Sequence, residues 1–193
     1  MIALPGVRSG RSCGGFTLAE LMIVVAVIGL VASIAFNVSS QDWRRARLNR
    51  VVQEASAWLE SIRKAAQRTQ SGCVVTVNTL ANQSPGSVLA TVSNRAVGES
   101  SCGPEANLLF NADSPGDLIS AQASSATVIF TPRGTIVGAS SAVISSDWEW
   151  RFALSSVSAL RCIRLSGLLG AIQIGSSDST SNVASSCSTY TVY

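Results

Sequence analysis

Glu20 is the residue of this chain that most requires a chemical explanation. It belongs to the hexapeptide Gly15-Phe16-Thr17-Leu18-Ala19-Glu20, and no other ionisable side chain occurs between Phe16 and Phe36. A helix over this stretch would be about 32 Å long, enough to cross a hydrocarbon core of about 30 Å. Since a carboxylate inside such a span costs about 2.5–3.5 kcal/mol, we expect Glu20 to have a function and a positively charged partner.

The place of Gly15, just before the apolar stretch, bears on how the segment is processed. An ordinary secretory signal has an apolar core of about 7–15 residues and ends at a small-residue cleavage site. A cut after Gly15 would instead leave the apolar stretch on the mature chain. A lipoprotein signal fits poorly for the same reason, because Cys13 precedes the apolar residues. An uncleaved signal anchor stays open, but it leaves Glu20 without a function.

The hexapeptide resembles the type III signal of type IV pilins and type II secretion pseudopilins, whose usual pattern is G-F-T-L-x-E. It matches that pattern at every fixed place, with Ala19 at the variable one. The resemblance implies cleavage after Gly15 by a prepilin peptidase and N-methylation of Phe16. It also implies that Glu20 pairs with the Phe16 amine of a neighbouring subunit during filament assembly.

The cysteines indicate the redox compartment. Cys13 lies in the leader, and an even number follows it, namely Cys73, Cys102, Cys162 and Cys187. An even count beyond a membrane anchor indicates an oxidising compartment and two disulfides. Three connectivities are possible, of which nearest-neighbour pairing closes the shortest loops. Because the chain has no C-x-x-C sequence and no histidine, nothing resembles a zinc site, and we expect no metal or other cofactor.

The residue types that common enzyme chemistry needs are scarce. Without histidine, the chain has no Ser-His-Asp or Cys-His nucleophile system and lacks the commonest metal ligand. Asp113 and Asp117 lie near glycine in a predicted loop, where turn and cap roles are typical. Asp178 stands among serines, but one carboxylate is too few for a calcium site. We therefore predict that the protein is not an enzyme.

A cluster of arginines follows the apolar stretch. It consists of Arg44, Arg45, Arg47 and Arg50, directly after Trp43. One interpretation is a solvated collar at the lipid headgroups, with the tryptophan as an interfacial aromatic residue. The other is a set of contacts with acidic groups on adjacent subunits.

The helix is predicted to continue past the apolar stretch and to become amphipathic. No proline occurs between Pro5 and Pro85, so we expect one helix of about 55 residues that ends before Ser71-Gly72. Glu60 and Lys64 have the favourable i, i+4 order. The predicted apolar face consists of Leu48, Val51, Val52, Ala55, Trp58, Leu59, Ile62, Ala65 and Ala66.

Short strands between turn-rich loops are predicted from Cys73 onward. The segment from Trp148 to Leu154 alternates apolar residues with Glu149, Arg151 and Ala153, which predicts one buried and one solvated face. Loops are predicted at 81–87, 94–107, 111–126 and 175–186. The predicted strands are Cys73–Val77, Val88–Val92, Leu108–Phe110, Thr127–Thr131, Trp148–Leu154, Leu160–Leu165, Ala171–Ile174 and Thr189–Tyr193.

Three further segments resemble the GspH/FimT branch of the pilin-like proteins. Phe130–Gly134 is similar to its F-x-P-x-G signature, and Arg161–Leu165 followed by Gly170-Ala171-Ile172 is similar to its closing hairpin. Leu59–Ala66 resembles its L-x-x-A-R-x-x-A run loosely. The resemblance implies an α+β, pilin-like fold in which a long N-terminal helix, transmembrane in its first half, packs on antiparallel β-sheets. The expected regions are a cleaved leader (1–15), an anchor (16–36), an amphipathic half-helix (37–71) and a β-rich domain (72–193).

The function that the resemblance implies is that of a minor pilin or pseudopilin. Such a protein is a single-pass subunit of the bacterial inner membrane with a periplasmic C-terminal domain. It assembles into a type II secretion pseudopilus, acting in protein secretion, or into a type IV pilus at the surface. The implied partners are other pilins or pseudopilins, the prepilin peptidase, the assembly platform and inner-membrane lipid.

DNA binding is the alternative function, because some FimT-type minor pilins take up DNA through a G-R-x-R stretch. The corresponding place here reads Gly170-Ala171-Ile172-Gln173, so both arginines are absent. Arg161 and Arg164 on the preceding strand offer partial compensation. The formal net charge is +3, or +1 once the two leader arginines are removed. So small an excess of cations weighs against nucleic acid as a partner.

Overall fold

The computed structural model describes residues 17–95, 102, 107–111, 116–140, 144, 146–167 and 169–192, with the backbone alone for 34–40. The predicted leader and cleavage site, including Gly15 and Phe16, lie outside these residues, as do Asp113 and Tyr193. The described part consists of one helix followed by antiparallel strands. The predicted fold class, α+β, is therefore confirmed.

Helix α1 runs from Leu18 to Thr69. The chain divides into two compact units, one up to Ser40 and one from Gln41 to Tyr193. In the part of the chain that the structure describes, no helical stretch is both long enough and apolar enough to count as a membrane span. The helix ends where Gln70 takes a left-handed conformation, with φ of 55°.

In the second unit, α1 buries the face that its periodicity predicts. Its apolar residues from Leu48 to Ala66 are at most 5% exposed, apart from Trp58, which is half-buried. Glu60 forms ion pairs with Arg63 (3.4 Å) and, as expected from the i, i+4 spacing, with Lys64 (3.6 Å). These pairs lie outside the apolar face of the helix, which packs on the sheets.

Two antiparallel sheets follow the helix. One has the strand order β4-β3-β1-β6-β7, and the other has the order β11-β10-β9-β8-β5-β2. The strands are β1 (Cys73–Val77), β2 (Leu80–Gln83), β3 (Val88–Asn94), β4 (Asn107–Leu109), β5 (Ile119–Ala123), β6 (Thr127–Phe130), β7 (Ile136–Gly138), β8 (Trp148–Leu154), β9 (Leu160–Leu165), β10 (Ile172–Ser177) and β11 (Thr189–Val192).

One apolar core joins the helix to both sheets. Leu59 of α1, Phe130 of the first sheet and Trp150 of the second are each fully buried in it. The neighbouring aromatic rings of Trp150 and Phe152 are 4.5 Å apart between centroids. Burying aromatic and aliphatic side chains of this size supplies most of the free energy that favours the fold.

Two disulfides connect the strands to the segments that cover them. Cys73 is bonded to Cys102, and Cys162 is bonded to Cys187. Of the three possible connectivities, the structure thus contains the nearest-neighbour one. The first disulfide joins the start of β1 to the connection after β3, and the second joins β9 to the segment just before β11.

Three strands lie where the sequence predicted either a loop or no element at all. β2 begins at Leu80 and is mostly exposed, β5 consists of small and polar residues around Ala121, and β7 is three residues long. β10 also continues to Ser177, into a predicted loop. None of these segments has the β-branched alternation that marks an isolated strand. They are strands because neighbouring strands offer them backbone partners: β5 for β2, β8 for β5, β6 for β7 and β9 for β10.

The prediction of a solvated face on β8 is wrong. Glu149 is 8% exposed and Ala153 is 3% exposed, and Arg151 is half-buried. The cover comes from the segment before β11 and from β11 itself: Val183, Cys187 and Tyr190 pack on this side of the sheet. The alternation of residue types along β8 therefore reflects two different buried surroundings.

Candidate functional site

Glu20 lies in the first turn of α1, and its backbone is part of an N-cap. The Glu20 N–H donates a hydrogen bond to Thr17 Oγ1 (3.2 Å). Thr17 is the residue before the helix, and Glu20 is three residues after it, as in the capping-box sequence S/T-x-x-E. This signal was readable in the sequence but was not part of the prediction. It offers Glu20 a structural role beside the assembly role that the resemblance implies.

The apolar residues around Glu20 are exposed within the described structure. From Leu18 to Val31 the large apolar side chains of α1 are between 49% and 75% exposed. An apolar surface that surrounds a helix on all sides needs an apolar partner outside the chain. The first unit therefore presents one acidic residue at the beginning of an uncovered apolar helix.

The arginine cluster at the beginning of the second unit is only partly a solvated collar. Arg47 forms an ion pair with the buried Asp117, whose second carboxylate oxygen accepts a hydrogen bond from Ser156 (3.1 Å). Arg44 donates to the carbonyl of Ser156 (3.3 Å). Part of the cluster therefore attaches the helix to the loops of its own domain, and Asp117 is an ion-pair partner rather than an exposed turn residue.

Arg63 brings together the three short segments that resemble the GspH/FimT branch. It lies on the helix, within Leu59–Ala66, and its guanidinium donates to the carbonyls of Gly134 (3.2 Å) and Leu169 (3.3 Å). Gly134 ends the Phe130–Gly134 segment, and Leu169 belongs to the turn between β9 and β10. We call this arrangement the Arg63 clasp. It attaches one turn of each sheet to the same point on the helix.

Gly170 shows why the Arg63 clasp needs glycine. Its φ is +59°, and a Cβ atom added there would lie 1.9 Å from the carbonyl oxygen of Gly134. Gly134 itself has φ of +79° and lies against the side chain of Gln67. The two turns thus touch through backbone atoms, which only residues without a side chain allow at this distance.

Arg161 is buried within its own chain. It is 8% exposed, and it donates to Asn49 Oδ1 (2.6 Å), to the Leu160 carbonyl (3.0 Å) and to Asp178 Oδ1 (2.7 Å). A guanidinium with these partners is not available to neutralise a DNA phosphate. The surroundings of Arg161 therefore do not support the partial compensation that was expected from it at a DNA site.

Arg164 is engaged as well, though it is more exposed. Its guanidinium carbon lies 3.4 Å from the centroid of the Tyr190 ring, and its Nε is 3.9 Å from a carboxylate oxygen of Asp147. The Tyr190 hydroxyl donates to the carboxylate of Glu149, which also accepts a hydrogen bond from Ser186 (3.0 Å). Burial, together with the neighbouring Glu149 carboxylate, raises the pKa of Tyr190 above its ordinary value of 10.0. These contacts hold the C-terminal segment on β8 and β9.

No cluster with metal-binding chemistry occurs in the described part of the chain. There, no three side chains of histidine, cysteine, aspartate or glutamate come close enough together to hold a metal ion. The carboxylates of Asp117, Glu149 and Asp178 contact arginine, serine or tyrosine side chains instead. In the second unit, the contacts of the arginines and of Tyr190 attach the helix to the loops and turns of the domain, and the C-terminal segment to β8 and β9.

Comparison with known families identifies the N-terminal segment. Residues 10–36 match the family model described as the prokaryotic N-terminal methylation motif. This match confirms the resemblance that was predicted from Gly15–Glu20. The chain matches none of the curated proteins.

Among solved structures, the chain is similar to the type IV minor pilin FimU of Pseudomonas aeruginosa (strain PAO1) in two crystal forms. With the P21 form it shares 15% sequence identity over 65% of this chain and 87% of that chain, with a TM-score of 0.45. With the P65 form the identity is 15% over 66% and 91% of the two chains, and the TM-score is again 0.45.

Proposed function

We propose that this chain is a minor pilin or pseudopilin, a non-enzymatic subunit of a filament that assembles at the bacterial inner membrane. The observation that carries the proposal is the methylation motif over residues 10–36, with Glu20 as the one acidic residue of an apolar segment. The uncovered apolar surface of the first unit supports it, since this surface suits both a lipid bilayer and a bundle of identical anchors. The β-rich domain would then lie on the periplasmic side.

Processing at Gly15 is the first step of the proposed pathway. A prepilin peptidase cleaves after Gly15, and the new amino terminus, Phe16, is N-methylated. Intact-mass and peptide mass spectrometry of the protein from its own host should show a mature chain that begins at a methylated Phe16. An intact leader in a strain with an active prepilin peptidase would overturn the assignment.

Glu20 is proposed to direct assembly. Its carboxylate is costly in an apolar environment, and pairing with the Phe16 amine of a neighbouring subunit removes that cost. Filaments would therefore form in preference to isolated anchors. The rival role, N-capping, uses the backbone N–H of Glu20 in the structure. A capping-box side chain at this position does not need a charge either, because glutamine also occurs there.

A pair of variants separates the two roles of the first turn. Glu20→Gln keeps the capping box and removes the charge, so we expect normal processing and incorporation into filaments reduced by about tenfold or more. Thr17→Val removes the cap that the structure shows and keeps the charge, so we expect incorporation near the parent level. Quantitative immunoblots of sheared filaments, normalised to the processed pool, measure both. Normal incorporation of Glu20→Gln would exclude charge pairing.

Deletion of the gene would show which type of filament the protein belongs to. A loss of sheared surface pili that the intact gene restores would assign the protein to a type IV pilus, with a role in starting assembly. Undiminished pili together with a loss of secreted proteins would assign it to a type II secretion pseudopilus.

DNA uptake is not the function that the described residues favour, because Arg161 is buried and Arg164 stacks on Tyr190. We expect the purified protein to leave duplex DNA unshifted in a gel at low salt, where phosphate contacts are strongest. A salt-sensitive shift would restore the alternative.

A further inference from the structure

The two sheets end in four edge strands, and three of these are blunted. β4 and β7 are three residues long, and β4 pairs with β3 through a register shift near Val88. β2 also pairs with a register shift, and Asn82 within it has φ of 51°. Short length and irregular pairing are the features by which natural proteins prevent other strands from adding to an edge.

The fourth edge, β11, is also short, at four residues, but it is regularly paired and has no residue with a positive φ. Thr189–Val192 pairs with β10 in continuous register, from Gln173 opposite Val192 to Ser176 opposite Thr189. It contains no charged residue, no proline and no glycine, and Val192 is 72% exposed. Within the described residues β11 is the last strand of its sheet, with no strand paired on its outer side. Its residue types, threonine, tyrosine and valine, are those that form strands most readily.

A groove lies beside this edge, between α1 and the end of the second sheet. Its volume is about 610 Å³, and it is lined by Ala57 of the helix, Ile172 and Ile174 of β10, and Val192 of β11, among others. It adjoins a second groove of about 230 Å³ that shares Gln53 and Ile174 with it. An extended segment laid along β11 would direct alternate side chains into this apolar space.

The charges at the groove are paired within the chain. Glu60 and Arg63 both line it and contact each other at 3.4 Å. Arg161, at the adjoining groove, contacts Asp178 at 2.7 Å. Because the described residues of the walls have no unpaired charge to offer, they match an occupant that is itself uncharged, and a charge placed there would lose its hydration without compensation.

We propose that β11 accepts an extended, uncharged strand of a neighbouring filament subunit, which lengthens the second sheet and fills the groove with its apolar side chains. This inference rests on the proposed function, since it requires a filament. Contacts that repeat along an open filament join two different surfaces. The incoming strand is therefore a segment other than β11 of the neighbour. Backbone hydrogen bonds supply the affinity, and the groove selects the side chains.

A photo-crosslinking experiment identifies the occupant. The full-length chain, expressed in its own host with p-benzoylphenylalanine in place of Val192, should form a covalent adduct with another filament subunit upon illumination. Mass spectrometry of the adduct should place the link in an apolar, extended segment of that subunit. No adduct in assembled filaments, or an adduct that joins residue 192 of two copies of this chain, would overturn the proposal.

A charge on the edge tests the energetic part of the inference. Val192→Lys is expected to lower incorporation into filaments about tenfold, the loss expected when a charge is left without a partner in an interface. Val192→Thr retains an uncharged strand former and should incorporate normally. Gln83→Lys places the same charge on the blunted edge β2, where Gln83 is exposed, and should also incorporate normally.

Two readouts distinguish this inference from the proposed function itself. Cleavage of the leader and formation of both disulfides, seen on non-reducing gels, should be the same in all three variants. If the parent chain is not cleaved or is absent from filaments, the proposed function fails. If the parent assembles and Val192→Lys assembles equally well, only the strand-addition proposal fails.

Discussion

The two parts of helix α1 are both rich in apolar residues, but the chain buries these residues to very different extents. From Leu18 to Val31 the large apolar side chains are 49–75% exposed, whereas from Leu48 to Ala66 those of the buried face are at most 5% exposed, apart from the half-buried Trp58. The second part alternates its apolar residues with polar ones at helical spacing, and it packs on two sheets of its own chain. The first part has apolar residues on every side, which is the pattern of a helix surrounded by a large apolar core or by a membrane. Its partners are expected to lie outside the chain.

The charged residues of the two parts differ in the same way. In the second unit, the carboxylates of Asp117 and Asp178 contact Arg47 and Arg161 of the same chain. Glu20 lies on the exposed first turn, where the structure records a backbone cap. The paired charges of the second unit therefore serve folding, whereas the charge of the first unit is proposed to serve assembly. Three stability measurements on the full chain in detergent test this contrast.

The largest effect is expected from removing the same side chain in the two parts of the helix. Leu59→Ala leaves a cavity among the helix and both sheets and should lower the free energy of unfolding by about 2–5 kcal/mol. Leu21→Ala, on the exposed part, should change it by less than about 0.5 kcal/mol. Urea unfolding followed by tryptophan fluorescence measures both, because Trp148 and Trp150 lie in the core. Equal losses would mean that the first part also packs on the domain.

An intermediate effect is expected at the Arg63 clasp. Gly170→Ala introduces a left-handed alanine whose Cβ collides with the backbone of Gly134, and should cost about 2–3 kcal/mol. Gly86→Ala is the matched control, because Gly86 also has positive φ (+92°) but has open space around it. It should cost about 1 kcal/mol, the penalty of the left-handed conformation alone. The same urea unfolding measurement applies. Equal losses of unfolding free energy for the two variants would show that the two turns can separate freely.

The smallest effect is expected from pH at the C-terminal segment. Because burial and Glu149 raise the pKa of Tyr190 in the folded state, the folded protein binds its phenolic proton more tightly than the unfolded chain does. The contribution of Tyr190 to stability is therefore fully present below about pH 10, the unfolded pKa, and is lost as the pH rises through the higher folded pKa. Tyr190→Phe should flatten the alkaline part of the stability curve.

The control for this measurement is Tyr193→Phe, which changes the chain's other tyrosine and should preserve the alkaline loss of stability. If the stability curve of Tyr190→Phe were unchanged, the Tyr190–Glu149 contact would not contribute to stability in solution.

Much of the fold could be predicted from local patterns. The apolar face of α1 follows from its 3.6-residue periodicity, and β1, β8 and β9 have the predicted bounds because their residue types favour strands on their own. Strands whose residue types do not favour a strand could not be found in this way. β5, with the sequence Ile-Ser-Ala-Gln-Ala, is a strand because it pairs with β8, its neighbour in space but not in sequence.

The candidate site was predictable to a smaller degree. The resemblance of Gly15–Glu20 was correct, since such a motif is contiguous and needs no tertiary information. The surroundings of Arg161 and Asp117 were not predictable, because their partners lie 112 and 70 positions away along the chain. The capping box at Thr17 and Glu20 could have been read from the sequence and was missed.

Features that depend on neighbours along the chain could be read from the residue types alone. The sequence specified the methylation motif, the long helix with its change from apolar to amphipathic, and the strands with strong strand-forming residues, because each follows from residue types at short spacing. The pairing of distant charges, the connectivity of the disulfides and the cover on the outer face of β8 follow from the tertiary structure. Those outcomes depend on which elements meet in space, and segments that meet in this chain are often separated by more than 25 positions. The open edge at β11 is also a consequence of tertiary structure. Whether a strand lies at an edge depends on the order of all the strands in its sheet.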